Sequence, residues 1–259
     1  MPDRGYLAVD GPVAIAHRGS SGDHPENTMI AFADAVAQGY RYVETDVHAT
    51  RDGVLVAFHD HRLDRVTDRA GAIAELDWGE VRQARVHGRE PIPRFEEVAE
   101  AWPDLRLNID PKADGAVAPL IAALGRPGVL DRVCVGSFAS RRLRELRRAL
   151  GPDLCTSMAP GEVARLRLAS LGWPARSFAA DCVQVPPRKY GLPVIDGRFV
   201  QAAHRRGLKV HVWTVNERAA MEWLLDLGVD GIMTDRTALL KSVFEARGLW
   251  PAEQQGEAT

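Results

Sequence analysis

The sequence predicts an α/β protein, a (β/α)8 TIM barrel with a small insertion between the second and third barrel strands. Three observations carry that expectation. The 259 residues suit one barrel better than two ordinary domains. Eight short apolar runs recur along the chain, and segments with helical periodicity separate most of them. Strand–helix alternation of this kind implies parallel strands.

The eight runs fall at residues 13–16, 42–47, 105–109, 133–135, 154–157, 182–185, 210–215 and 231–234. Helical periodicity appears at 28–38, 140–150, 161–171, 196–206, 217–227 and 237–246. Gly39, Gly151, Gly207 and Gly228 each stand between a helical segment and the next strand, where a C-cap glycine ends a helix. Between the second and third strands the spacing far exceeds one crossover helix, so residues from about 60 to 104 form the insertion. With it go a strand at 54–58, short helices at 75–83 and 95–102, and a loop at 88–93. The polar, aperiodic residues 251–259 read as a flexible tail of an otherwise single-domain chain, 1–259.

Composition narrows the function classes. With 46% hydrophobic and 26% charged residues the chain can bury a sizeable core. A formal net charge of -2 gives no whole-molecule attraction to nucleic acid or to an anionic membrane, so neither nucleic-acid binding nor stable membrane association is expected. Only Lys112, Lys189, Lys209 and Lys241 are lysines among the 33 basic residues, and the arginines are interleaved with Asp and Glu. Cys134, Cys155 and Cys182 are isolated in apolar stretches without CxxC spacing and read as buried thiols rather than disulfides or a zinc site. No basic segment followed by an apolar core precedes His17, which favours the cytoplasm. Nothing in the sequence marks an oligomer interface.

A barrel collects function at the C-terminal ends of its strands. There the sequence places His17-Arg18, Glu44-Thr45-Asp46, Asp110-Pro111-Lys112 and Trp213-Thr214-Val215-Asn216. Glu44 and Asp46 are two apart on one strand, so both carboxylates share a face, and two close anions need a cation. Asp110 on the neighbouring strand adds a third oxygen donor, a set suited to Mg2+ or Ca2+ (with Mn2+ an alternative) rather than zinc. His17 and His59 flank the carboxylates and suit a base and an acid for phosphoryl transfer near neutral pH. Arg18-Gly19 after His17 offers an anion clamp on a backbone free to approach a ligand, and Asp60 stands where it can orient the His59 ring. Lys112 either reaches the phosphate or forms a salt bridge to Asp110 or Glu44. Trp213 is either an apolar wall for the alcohol portion of a substrate or a core residue, and Phe138 and Gln184 are weaker candidates of the same kind.

His17-Arg18-Gly19, Pro25-Glu26-Asn27-Thr28, Glu44-Thr45-Asp46, Thr50-Arg51-Asp52-Gly53 and His59-Asp60 together resemble the glycerophosphodiester phosphodiesterases. The likeness continues through Leu63-Asp64-Arg65-Val66-Thr67, Trp213-Thr214-Val215-Asn216 and Gly228-Val229-Asp230-Gly231-Ile232 to Thr234-Asp235, almost the whole chain. It implies metal-dependent hydrolysis of small glycerophosphodiesters to glycerol 3-phosphate and an alcohol. By motif match His17 and His59 become the acid–base pair, Glu44 and Asp46 metal ligands, and Arg18 a phosphate contact. The family's third ligand is usually Glu in a Glu-x-Lys pattern, where this chain has Asp110-Pro111-Lys112. Aspartate is one methylene shorter, which implies a shifted ion or a bridging water. The attacking group is either the substrate's own glycerol 2-hydroxyl or water.

Lysophospholipase D activity, a cyclising phosphodiesterase and a non-catalytic phosphate-binding barrel are the rival readings. A lipid substrate calls for an apolar rim at the mouth, whereas the insertion is densely charged. That charge favours water-soluble diesters.

Overall fold

The computed structural model describes residues 5–250; the expected tail at 251–259 lies outside them. Eight parallel strands form the barrel: β1 (Val13–His17), β2 (Tyr42–Ala49), β3 (Arg106–Pro111), β4 (Val133–Val135), β5 (Cys155–Thr156), β6 (Cys182–Val185), β7 (Lys209–Val212) and β8 (Gly231–Thr234). Eight helices alternate with them: α1 (Met29–Ala37), α2 (Phe95–Ala101), α3 (Val117–Leu124), α4 (Ser140–Leu150), α5 (Pro160–Ser170), α6 (Gly197–His204), α7 (Arg218–Leu227) and α8 (Thr237–Ala246). Neighbouring strands pair in chain order, and β8 pairs with β1. Closure between β5 and β6 rests on one parallel bridge, Ser157 to Cys182, with Met158 N–H donating to Cys182 O at 3.0 Å and Asp181 N–H to Thr156 O at 2.9 Å.

Side-chain alternation along each strand divides the core in two. Outward residues such as Val43, Val47, Leu107, Ile109, Val210 and Val212 pack against Phe32 of α1, Leu120 of α3, Phe199 of α6 and Leu240 of α8. Inward residues Ile15, Tyr42, Cys134, Cys155, Cys182 and Met233 fill the barrel beneath its mouth, together with Tyr6. All three cysteines are buried thiols outside any disulfide. Tyr6 closes the opposite end: its ring meets Tyr42 edge-on at 5.2 Å, and its carbonyl accepts from Tyr42 OH at 2.9 Å.

Three elements differ from expectation, each for a local reason. Phe95, Val98 and Ala99 of α2 belong to the main core, so this helix is the crossover of the second βα unit rather than part of the inserted segment. The segment between β2 and α2 builds its own core from Val56, Phe58, Leu63, Val66, Ile73, Val81, Ala84, Val86 and Ile92. Its strand Leu55–Ala57 runs antiparallel to β2, and Glu90–Pro91, within the stretch expected as loop, pairs antiparallel with Arg85–Val86. Helix α3 was not expected, because Val-Ala-Pro-Leu-Ile-Ala-Ala-Leu has no polar face to set a period.

His211 of β7 points inward, 2% exposed. Burial pushes its pKa from 6.5 down to about 4. Between those values the unfolded chain binds a proton that the folded chain refuses, so folding stability falls as pH drops from 6.5 toward 4. The loss amounts to about 3 kcal/mol. Denaturant titrations at pH 7 and pH 4 are expected to show a smaller pH-dependent loss in His211→Gln than in the parent chain; equal losses would show that His211 contributes nothing to it.

Candidate active site

The parallel register assembles the mouth. His17 pairs with Glu44, and Glu44 with Asn108, across β1, β2 and β3. Two residue pairs further along, Asp46 stands beside Asp110. On the other side of β1, Ala16 pairs with Thr234, which brings Asp235 at the end of β8 beside His17.

His17 Nδ1 lies 2.6 Å from Asp235 Oδ1, and Nε2 lies 3.7 Å from Glu44 Oε2. Asp235 is held in turn by Ser21 Oγ–H at 3.0 Å and by the Asn216 amide at 2.7 Å. Burial opposes the charged imidazolium, but Glu44 and Asp235 outweigh it and hold the His17 pKa above the ordinary histidine value. Burial also opposes the Asp235 carboxylate, yet its hydrogen bonds from His17 and Asn216 bring its pKa down to about 2.

After His17 the backbone turns sharply, with Arg18 at φ 56° and Gly19 at φ 79°. A Cβ on residue 19 would stand 2.6 Å from the Ala31 carbonyl carbon in α1, so glycine is required there. The turn aims Arg18 back over the pocket. Its backbone N–H donates to Glu44 Oε2 at 3.2 Å, its Nε lies 3.0 Å from Asp46 Oδ2, and its Nη1 donates to Glu26 Oε1 at 3.1 Å.

His59 follows the strand Leu55–Ala57, and its Nδ1 lies 2.6 Å from Asp60 Oδ1. Arg65 ion-pairs with the other Asp60 oxygen and donates to Glu26 Oε1 at 2.6 Å. A continuous chain of contacts therefore runs from His59 through Asp60, Arg65 and Glu26 to Arg18. Asn27 adds a brace: its amide donates to Asp46 Oδ2 at 3.1 Å and accepts from Thr45 Oγ at 2.8 Å.

Lys112 does not stand free to meet a phosphate. Its Nζ lies 2.7 Å from Asp46 Oδ1 and 2.8 Å from Asp110 Oδ2. Burial works against the ammonium, but the two carboxylates hold its pKa above the ordinary lysine value. Asp46 stays below the ordinary range despite burial, because Lys112 and Arg18 flank it. Desolvation raises Asp110 against the pull of Lys112.

Among the described residues no three Asp, Glu, His or Cys side chains form a ready-made metal cluster, and Asp110 Oδ2 accepts from Lys112 Nζ at 2.8 Å. Glu44 is different. It is buried, and its pKa is pushed up to about 7 by desolvation and by Asp46. Among the described residues the nearest ionisable cation is the His17 imidazole. Asp46 Oδ1 accepts no hydrogen bond of good geometry although Lys112 is close. Buried oxygens with surplus negative charge fit a hard divalent cation.

Trp213 follows β7 and meets Phe138, from the loop after β4, edge-on at 5.7 Å. Gln184 faces inward, exchanging hydrogen bonds with Asn108 at 3.2 and 3.3 Å. Residues 17–239 match the Glycerophosphoryl diester phosphodiesterase family. The chain belongs to this family. It is 44% identical over 253 residues, 95% of either chain, to a probable glycerophosphodiester phosphodiesterase 2 of Mycobacterium tuberculosis. A putative glycerophosphoryl diester phosphodiesterase from Silicibacter pomeroyi has the same fold, with a TM-score of 0.80 and 26% identity over 96% of this chain and all of the other. An Oleispira antarctica phosphodiesterase, solved with its product sn-glycerol-3-phosphate, superposes with a TM-score of 0.76 at 25% identity, covering 91% of this chain and 97% of that one.

The residues that the sequence left without a role are Glu26, Asn27, Arg65, Asn216 and Asp235. The signal for Asp235 was its place at the end of a strand next to β1. Glu26 and Arg65 are far apart in sequence, and nothing but the fold pairs them.

Proposed function

We propose that the chain hydrolyses water-soluble glycerophosphodiesters to sn-glycerol 3-phosphate and an alcohol, with His17 and His59 as the acid–base pair. The observation that supports this most directly is that each imidazole has Nδ1 held by a carboxylate at 2.6 Å. A carboxylate on Nδ1 selects the tautomer and leaves Nε2 for the reacting groups.

One imidazole takes the proton from the attacking hydroxyl, either the glycerol 2-hydroxyl or a water, as the new O–P bond forms. The other gives a proton to the departing alcohol oxygen as its bond to phosphorus breaks. Arg18 carries the charge of the phosphoryl oxygens, while Lys112 holds Asp46 and Asp110 in place and lends the site a fixed positive charge. Trp213 with Phe138 forms the apolar wall for the alcohol. Glu44 and Asp46 would hold one divalent ion, with Asp110, here paired with Lys112, as the third candidate oxygen donor. When bound, that ion supplies Lewis-acid charge to the phosphoryl oxygens. Three buried thiols outside any disulfide suit a reducing compartment, so we place the enzyme in the cytoplasm.

The test is release of sn-glycerol 3-phosphate from glycerophosphocholine by protein stripped with EDTA, then supplied with Mg2+, Mn2+ or Ca2+. Release restored by one of these ions is expected. Silence with all three, alongside cleavage of lysophosphatidylcholine, would move the substrate to lipids.

The contacts of Arg65 give a sharper test. It touches no substrate in this reading and acts through Asp60. Arg65→Met is expected to lower kcat about tenfold with KM nearly unchanged, the scale seen when an outer partner of an oriented histidine is lost. Arg65→Lys should recover part of the loss, and an unchanged kcat in Arg65→Met would show that Asp60 orients His59 unaided.

A further inference from the structure

The loop after β6 is a tight antiparallel hairpin, Arg188–Lys189 with Leu192–Pro193. Tyr190 at φ 51° and Gly191 at φ 78° give both central residues the left-handed backbone of a two-residue hairpin turn. Pro186, Pro187 and Pro193 stiffen its stem. Tyr190 is 94% exposed and Leu192 71% exposed, two of the most exposed large apolar side chains among the described residues.

Arg188 and Lys189 are also exposed, and neither has a carboxylate within ion-pair distance among the described residues. The Arg188 guanidinium donates to Gly191 O at 2.8 Å, and the Lys189 ammonium sits 5.6 Å from the Tyr190 ring centre. From Pro186 to Ile195 the sequence contains no acidic residue.

Because the barrel strands are parallel, the hairpin leaves from the same end of the barrel as His17 and Asp110. In the ring of eight, β6 stands four places from β2, so the hairpin faces the charged inserted segment across the mouth. Phe138, 61% exposed, lies between them on the loop after β4.

We propose that this hairpin is a docking finger for an anionic lipid surface. Tyrosine and leucine at its tip suit the boundary between headgroups and acyl chains, and the two unpaired cations complement anionic headgroups. The chain as a whole carries a net charge of -2, so the attraction is confined to the finger and the contact is reversible rather than an anchor. Docking by this finger turns the catalytic mouth toward the surface. This inference is independent of the catalytic reading, since binding is measured without turnover.

The experiment is sedimentation of the intact chain with vesicles of phosphatidylcholine alone or phosphatidylcholine mixed with phosphatidylglycerol. Binding to the mixed vesicles, weakened by salt, is expected. Arg188→Gln with Lys189→Gln should weaken it by about tenfold or more, since each basic residue near such a surface is worth several-fold in affinity. Tyr190→Asn with Leu192→Ser should weaken it similarly, with asparagine keeping the left-handed turn. Hydrolysis of soluble glycerophosphocholine should be unchanged in both. Protein that stays in solution with both vesicle types, or vesicle binding that survives both double variants, overturns the proposal. Light scattering that shows a dimer abolished by the same substitutions assigns the finger to an interface between copies instead.

Discussion

Alanine at His17 or at His59 is expected to slow sn-glycerol 3-phosphate release by about a thousandfold, within the range that loss of a positioned acid or base produces. The two losses should not multiply, because a proton taken without one given leaves the same step incomplete. KM should move little, since in the proposed reading Arg18 still meets the phosphate. Asp235→Asn is the informative control. It keeps the shape around His17 but replaces a carboxylate that accepts from Nδ1 at 2.6 Å with an amide able to present a donor there, favouring the wrong tautomer. An intermediate rate is expected. Wild-type rates in His17→Ala or His59→Ala would remove the acid–base pair from the mechanism.

The second large effect is on stability. Lys112→Met removes the ammonium between Asp46 and Asp110, leaving two carboxylates with a lost partner beside Glu44. Breaking a buried ion pair on one side costs about 3 kcal/mol. For a chain of this size that corresponds to a fall in Tm of roughly 6–12 °C in EDTA. Added divalent cation should then raise the Tm of Lys112→Met more than that of the parent, since the variant pocket has more uncompensated negative charge to bind it. Equal shifts in the two proteins would show that Lys112 and the ion do not compete for the same carboxylates.

Much of this site was legible in the sequence because its residues sit at strand ends. Period-two spacing put Glu44 and Asp46 on one face, and alternation of strands with helices put His17 and Asp110 on either side of them. Residue pairs that join distant loops were not legible: Glu26 with Arg65, and His17 with Asp235, depend on how the second βα loop folds back and on which strand closes against β1. The position of Lys112 was open for the same kind of reason. Spacing put it on the face of Asp110, but its second partner, Asp46, follows from the register between β2 and β3. Helix α3 was hidden by its uniformly apolar composition, and the pair Arg85–Val86 with Glu90–Pro91 by strands too short to carry a pattern.

The closure between β5 and β6 divides the ring mechanically. On one arc β2 and β3 share six consecutive residue pairs; on the other β5 and β6 are joined by a single bridge. Thermal opening of such a ring begins at its thinnest suture, so amide exchange should be fastest across residues 154–158 and 180–182. The carboxylates and His17 are carried by the stiff arc, and the finger with its exposed tyrosine grows from a strand at the suture. Compliance and precision are thus allotted to opposite sides of one cylinder, and breathing at the seam can tilt the finger while the reacting groups keep their spacing.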